Sequence, residues 1–347
     1  MARVSVIIPN YNHARYLDQR IRSVLDQTWQ DFEVILLDDA STDGSLDVID
    51  RYRDDPRIRV HVNETNSGSA FCQWNKGVSL ASAPFVWIAE ADDDADPHLL
   101  EALVARLEAS ADTVLAYCQS QVIDEHGATD RTFADWTDDL STERWRRDFQ
   151  NNGREECASY LVFKNTIPNA SAVLFRKDAY LRAGGAPEEM RICGDWLTWV
   201  RILQFGNLAF VAKALNRFRC HGGSVRSSTS ASQFCQESYV VARHIFAHHA
   251  VTPAIRRTTE EQARNAWRWT VRYAQTPPSW RWVIETARTH ALVYGRSASV
   301  HVSRCLWSRL LRTAAADWLR ATKHRAVPAL RTLWRPVHPA PSTSLKG

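Results

Sequence analysis

Phe85–Pro97 reads FVWIAEADDDADP. The apolar run from Phe85 to Ala89 has the length and composition of a buried strand, and it stops in five carboxylates: Glu90, Asp92, Asp93, Asp94 and Asp96. Pro97 then stands where a helix, HLLEALVARLEA, would open, a position at which its missing N–H costs nothing. Carboxylates crowded at the end of a buried strand repel one another and lose hydration when they face inward. They are tolerated when they point to water or when a cation sits among them. Hard divalent cations such as Mg²⁺ and Mn²⁺ take oxygen ligands of this kind. A solvated loop feeding a helix N-terminus explains the same residues without a cation, since acidic groups suit that end of the dipole.

Outward from this stretch, the pattern repeats. Val4–Pro9 (VSVIIP) is a nearly continuous β-branched run, as expected of a strand covered on both faces. Asn10-Tyr11-Asn12 breaks it, with Asn12 as a candidate N-cap, and Tyr16, Leu17, Ile21, Val24 and Leu25 follow at helical spacing. Phe32–Asp38 is a second buried strand ending in Asp38-Asp39, and Ser45–Asp54 a helix. Arg57–Val62 alternates like a strand nearer the edge, and Asn66-Ser67-Gly68-Ser69 is a loop leading into a helix that runs to about Ala81. Thr113–Cys118 is a further strand. This alternation predicts an α/β fold with a mostly parallel, Rossmann-like sheet flanked by helices. Such sheets bind ligands beyond the C-terminal ends of their strands, so Asp38/Asp39 and Asp92/Asp93 are expected to converge on one crevice. Dinucleotide binding would require GxGxxG after the first strand. The turn there is Pro9-Asn10-Tyr11-Asn12, with no glycine, and no P-loop is present, which argues against a nicotinamide or flavin dehydrogenase.

The 347 residues carry a net charge of +4 that hides an asymmetry. Residues 1–230 hold 25 Lys+Arg against 34 Asp+Glu, whereas 231–347 hold 18 against 5. A basic end rich in Trp and Arg suits an anionic surface, and Ser303–Thr322 reads as an amphipathic helix of the kind found at membrane interfaces. A helical appendage packed on the body explains the same residues without a membrane. Nucleic acid is not an expected partner, because no recognition motif accompanies the charge. Seven scattered cysteines form no metal or disulfide framework and point to a reducing compartment. With no signal-peptide pattern and no apolar window of about 18–20 residues, the expectation is a cytoplasmic protein, peripheral at the inner face of the membrane if the basic end binds lipid.

SVIIPNYNHARYL, VILLDDASTDGS, NSGSAFCQWNKG and the acidic cluster, in that order, resemble the motifs of family 2 glycosyltransferases, over roughly residues 1–225. The resemblance implies a GT-A fold and transfer of a sugar, with inversion, from a nucleotide-diphosphate donor, using a divalent cation, Mn²⁺ or Mg²⁺. It implies that Pro9, Tyr11 and Asn12 lie in the loop under the base and that Asp39 accepts a hydrogen bond from a uracil-type N–H, which favours a UDP-sugar. Asn66 and Gly68 would approach the nucleotide, Asp92 would face the ribose, and Asp93 would ligate the metal. Glu90 replaces the first Asp of the family's acidic motif, and Trp74 stands before Asn75 where an Arg is frequent. From the residues themselves, Asp38 and Asp43 read as turn formers, and Asp94 and Asp96 as helix N-terminal charges.

In the second half the resemblance places a catalytic base in a Gly-Asp pair at the head of a helix, which Gly194-Asp195 matches. An inverting transfer needs such a carboxylate to take the acceptor proton, although an aspartate that only caps the helix would look the same. Glu188 and Glu189 lie further upstream. In NRFRCHGGSVR (216–226), His221 would complete the metal site or touch the diphosphate, and Arg226 would neutralise phosphate. The expected organisation is a catalytic domain over 1–230, with 1–120 binding the donor and 121–230 the acceptor, then a helical extension over 231–335 and a disordered tail over 336–347. The acceptor implied by the family is a glycan or a lipid-linked saccharide in cell-surface polysaccharide assembly. Two other functions fit parts of the sequence. A nucleotidyltransferase would need a basic, Gly-rich loop after the first strand, and a non-catalytic nucleotide- or partner-binding protein would not need Asp195.

Overall fold

A computed structural model of the chain describes residues 2–222, 230–273 and 288–295. Strands β1 (Val4–Asn10), β2 (Phe32–Asp38), β3 (Ile58–Val62) and β4 (Phe85–Ile88) are parallel and ordered β3-β2-β1-β4. Every residue of β1 is buried, and its side chains divide between two apolar layers. Ile7 packs with Phe71, Trp74 and Val78 of α3 (Ala70–Leu80). Val6 and Ile8 pack with Leu17 and Ile21 of α1 (Ala14–Leu25), Ile49 of α2 (Ser45–Asp50) and Leu99–Leu107 of α4 (Leu99–Glu108). That double cover is why the strand is apolar at consecutive positions and does not alternate.

The sheet continues through β9 (Val173–Arg176), antiparallel to both β4 and β6 (Thr113–Ile123), and then through β10 (Asn207–Arg219), parallel to β6. The two-residue β5 (Asp94–Ala95) closes the order β3-β2-β1-β4-β9-β6-β10-β5, with β7 (Thr129–Thr132) on β6 and β8 (Phe149–Asn152) on β10. The short helices α5 (Ala134–Thr137), α6 (Gly153–Glu156) and α7 (Lys177–Arg182) lead to α8 (Gly194–Ile202).

Three readings of the sequence are corrected here. Asp94 is no helix-terminal charge: it pairs with Arg217 across β5 and β10, with an N–O distance of 2.7 Å. The polar stretch 124–165, where the sequence pattern predicts no strand, contains strands β7 and β8, which pair at the margins of the sheet and so lack an apolar face. Asn12 is not the N-cap of α1, a position held by His13. Asn12 instead adopts a left-handed backbone, φ 57°, and its side-chain oxygen accepts from the Thr42 amide at 2.7 Å. Asp43 caps α1 from the neighbouring loop, accepting from the Ala14 amide at 2.9 Å.

Beyond the sheet, the helix Ala231–His248 packs on α8, and the helix Pro253–Tyr273 follows it. Residues 288–294 are also helical. There, His290 is buried with Nδ1 3.0 Å from the Tyr239 hydroxyl. Burial, reinforced by Arg264, pulls its pKa down to about 4, and burial does the same for His244 and His249. A histidine that is neutral when folded but titrates near 6.5 when unfolded gives stability that is complete above 6.5 and is lost as pH falls towards 4. Urea midpoints are therefore expected to drop between pH 6.5 and 4, and His290→Gln to flatten that slope. The stretches 223–229 and Ser303–Thr322 lie outside the described residues. Among the described residues, no helix is long and apolar enough to cross a membrane.

Candidate active site

β1 and β4 are neighbours, and β2 lies on the far side of β1, so the chain order reverses between β1 and β4. At that switch point the loops after three strands deliver polar groups to one edge. His13 arrives after β1, Asp92 after β4 and His221 after β10. Their ligand atoms all lie within 4.8 Å of one another. His221 Nε2 is 2.9 Å from Asp92 Oδ2, and the His13 and His221 rings meet edge to face at 5.8 Å. Burial depresses the His13 pKa and His221 adds to this, against the opposing charges of Asp92 and Asp43. The neutral imidazole that results is the form that binds metals. Burial alone would raise Asp92, but its hydrogen bond with His221 and the charges of His13 and His221 outweigh that and hold it below the usual carboxylate range.

Asp93 faces the other way and is not part of this group. It is 2% exposed, accepts from the Arg219 amide at 2.8 Å and lies 4.0 Å from the Arg20 guanidinium. Burial, then the charge of Asp92, pushes its carboxyl up to about 7. Arg20 is fully buried beneath the acidic loop, with its Nε bound to the Glu90 carbonyl at 2.8 Å and its two terminal nitrogens without hydrogen-bond partners. The two departures from the family pattern touch each other: Trp74 Nε1 donates to Glu90 Oε1 at 2.8 Å. The indole takes a place from which an arginine would have brought a charge. Glu90 is raised to about 8, first by burial and then by Asp92.

Among the residues expected around the nucleotide, Pro9 is buried in β1, Tyr11 is 46% exposed beside it, and Asn12 fastens the 41–43 loop. Asp39 is 4% exposed and much engaged. It accepts from Asn63 Nδ2 at 2.6 Å, the Ser67 amide and hydroxyl at 2.9 and 2.7 Å, and Gln73 Nε2 at 2.9 Å. The carboxylate thereby holds the 66–69 loop, in which Gly68 has φ +75° and donates its amide to Asn66 Oδ1. Asp38 is structural, bridging Asn10 Nδ2 and the Ser41 amide. Arg226 lies outside the described residues.

Asp195 stands at the first turn of α8, partly exposed. Its Oδ1 accepts from the Trp196 amide at 2.6 Å, and its Oδ2 from Asn165 Nδ2 at 3.0 Å, which fixes the carboxylate plane. Glu188, the rival carboxylate, is bound to Asn75.

Residues 5–176 match the profile of glycosyl transferase family 2. The chain belongs to glycosyl transferase family 2. This glycosyltransferase is 29% identical over 241 residues to the glycosyltransferase alr2836 of Nostoc sp., spanning 68% of the chain and 70% of that protein. Its fold superposes on the crystal structure of S. aureus TarS 1–349 in complex with UDP-GlcNAc with a TM-score of 0.64 and 17% identity, covering 90% of this chain and 92% of that one. The mannosyltransferase PcManGT of Pyrobaculum calidifontis, solved with GDP-Man and Mn²⁺, gives a TM-score of 0.55 and 15% identity over 96% of this chain and 78% of its own.

Two groups in the glycosyltransferase escape the sequence reading. His13 adjoins PNYN at the end of the first strand, the position from which a side chain enters the crevice, and that placement could have singled it out. Glu237 gives no such signal. From the helix Ala231–His248 its carboxylate accepts from the amides of Arg191, Ile192 and Cys193 at 2.8–2.9 Å, capping the turn that delivers Asp195. That turn is also closely packed, since a Cβ on Gly194 would lie 2.4 Å from the Phe71 ring. Gly194→Ala is therefore expected to displace the head of α8 and cut turnover at least tenfold, at a stability cost of about 1–3 kcal/mol. Nucleotide binding should be unchanged; turnover and nucleotide titration on the same preparation check this.

Proposed function

We propose that this glycosyltransferase moves a sugar, with inversion, from a nucleotide-diphosphate donor to an acceptor hydroxyl in cell-surface polysaccharide assembly. UDP-sugars are favoured. The observation that carries the reading is the convergence of His13, Asp92 and His221 at the strand ends. Two imidazoles and one carboxylate fit a divalent transition ion better than Mg²⁺, which prefers an all-oxygen shell. Mn²⁺ is therefore the cofactor proposed, held by Asp92 and not by the inward-facing Asp93. When bound there, the cation neutralises charge developing on the leaving diphosphate. The chain's own groups do the rest. The Asn66–Gly68 loop and the Pro9–Asn12 turn border the nucleotide, and Asp39 orders that loop. Asp195 takes the proton of the acceptor hydroxyl as its oxygen attacks the anomeric carbon and the sugar–diphosphate bond breaks.

Support comes from the TarS and PcManGT structures, which hold UDP-GlcNAc and GDP-Man with Mn²⁺. The name of TarS, poly(ribitol-phosphate) beta-N-acetylglucosaminyltransferase, favours an envelope-polymer acceptor. The amphipathic stretch 303–322 that would meet an anionic membrane lies outside the described residues, and that contact stays part of this proposal. Calorimetric titration of UDP-, GDP- and dTDP-sugars, each with Mn²⁺, Mg²⁺ or EDTA, tests the reading. One donor should bind at least tenfold more tightly with Mn²⁺ than with EDTA. The absence of binding by every nucleotide under every condition would overturn it.

A further inference from the structure

A cavity of about 180 Å³ opens between the catalytic body and the C-terminal helices, with Asp195 in its wall. It is larger than the ~150 Å³ apolar cavities that admit benzene-sized molecules. Trp196 and Phe163 line it from the body, Phe234 and Tyr239 from the helix Ala231–His248, and Ala263 from the helix Pro253–Tyr273. Several polar residues on its lining are already engaged. Lys164 Nζ bonds to the Trp136 carbonyl and to Asp139, and Ser238 and Thr259 turn their hydroxyls back to carbonyls of their own helices. A free sugar or polyol placed here would lose water and find few partners in exchange. An alkyl chain would give up no hydrogen bonds to water and would bury apolar surface.

The position of the cavity matters as much as its lining. Glu237 ties the helix that forms one wall to the three amides preceding Gly194 and Asp195. The apolar wall and the carboxylate are thus held in register by one side chain.

We propose that this cavity seats an alkyl-type aglycone of the acceptor, so that the accepting hydroxyl is carried on an amphiphile and presented at Asp195. The inference rests on the reading of Asp195 as the base, and it makes the C-terminal helices part of the acceptor site. The probes are n-octyl and methyl β-D-glucoside, titrated calorimetrically into the full chain below the micelle-forming concentration, with UDP and Mn²⁺ as the donor-site control. Octyl glucoside should bind at least tenfold more tightly than methyl glucoside. Ala263→Phe, which fills the cavity, should abolish that preference without changing UDP affinity. Phe234→Asp, at a position 37% exposed and so tolerant of change, should do the same and covers a folding failure of the first variant. Equal binding of the two glucosides, or an octyl preference that survives both folded variants, overturns the proposal. Loss of UDP binding in the unmodified chain would count against the donor assignment and would leave the glucoside comparison to decide this one.

Discussion

Asp195→Asn is expected to lower the transfer rate by roughly 10²–10⁴-fold, the usual contribution of a positioned general base. The affinity for the nucleotide should stay within about twofold. The substitution preserves shape, and the side-chain oxygen still accepts from the Trp196 amide or from Asn165, which hold the carboxylate today. What it removes is the capacity to take a proton. Because the effect falls on the chemical step, kcat and kcat/KM should fall together. Single-turnover transfer to a glycoside acceptor, with nucleotide titration alongside, checks this. A variant with near-normal turnover would return Asp195 to the role of a helix-terminal aspartate and leave the base unassigned.

The second large effect separates two neighbouring aspartates. Asp92→Asn is expected to weaken Mn²⁺-dependent UDP binding by roughly 100-fold or more, since even groups that only orient ligands cost 10–100-fold when lost. His13→Ala should act in the same direction. Asp93→Asn should instead spare that binding and lower the melting temperature, because its carboxylate answers the Arg219 amide and the buried Arg20 and faces away from the crevice. Mn²⁺ titration followed by electron paramagnetic resonance, together with thermal melts, separates the two outcomes. If Asp93→Asn abolished Mn²⁺ binding while Asp92→Asn retained it, the ligand set proposed here would fail.

The layered sheet was legible because doubly covered strands cannot hide: Val4–Pro9 and Phe32–Asp38 are apolar at consecutive positions, and helix-length amphipathic stretches separate them. Among the strands that escaped notice, β5, β7 and β8 are short and polar and pair at margins where backbone hydrogen bonding suffices, whereas β10 is long and largely buried but its apolar pattern is interrupted by register shifts between Val211 and Asn216. Within the site, the carboxylates at strand ends followed from topology, but their directions did not. Nothing in EADDD says which of two adjacent aspartates turns inward. That depends on Arg219 and Arg20, which come from β10 and α1. Glu237 was illegible for the same reason, because its three amide partners lie more than forty residues away and form no pattern in the sequence. The contact between Trp74 and Glu90 shows the converse. Two residues that read separately as departures from the family pattern are one compensating pair in space.

Arg20, sealed beneath Glu90, Asp92, Asp93 and Asp94, has a consequence for the order of events. A permanent internal counter-ion lets the acidic loop assemble while no metal is present, so the chain can fold first and load afterwards. The same guanidinium spends part of the loop's attraction for an incoming cation. A lone Mn²⁺ should be held loosely, and the diphosphate, arriving with its own negative charge, restores what Arg20 has cancelled. By linkage, each tightens the other by the same factor. With the Mn²⁺ site proposed above, the enzyme would thereby be disposed to take up donor and cation as a pair and to release the cation when the spent nucleotide leaves.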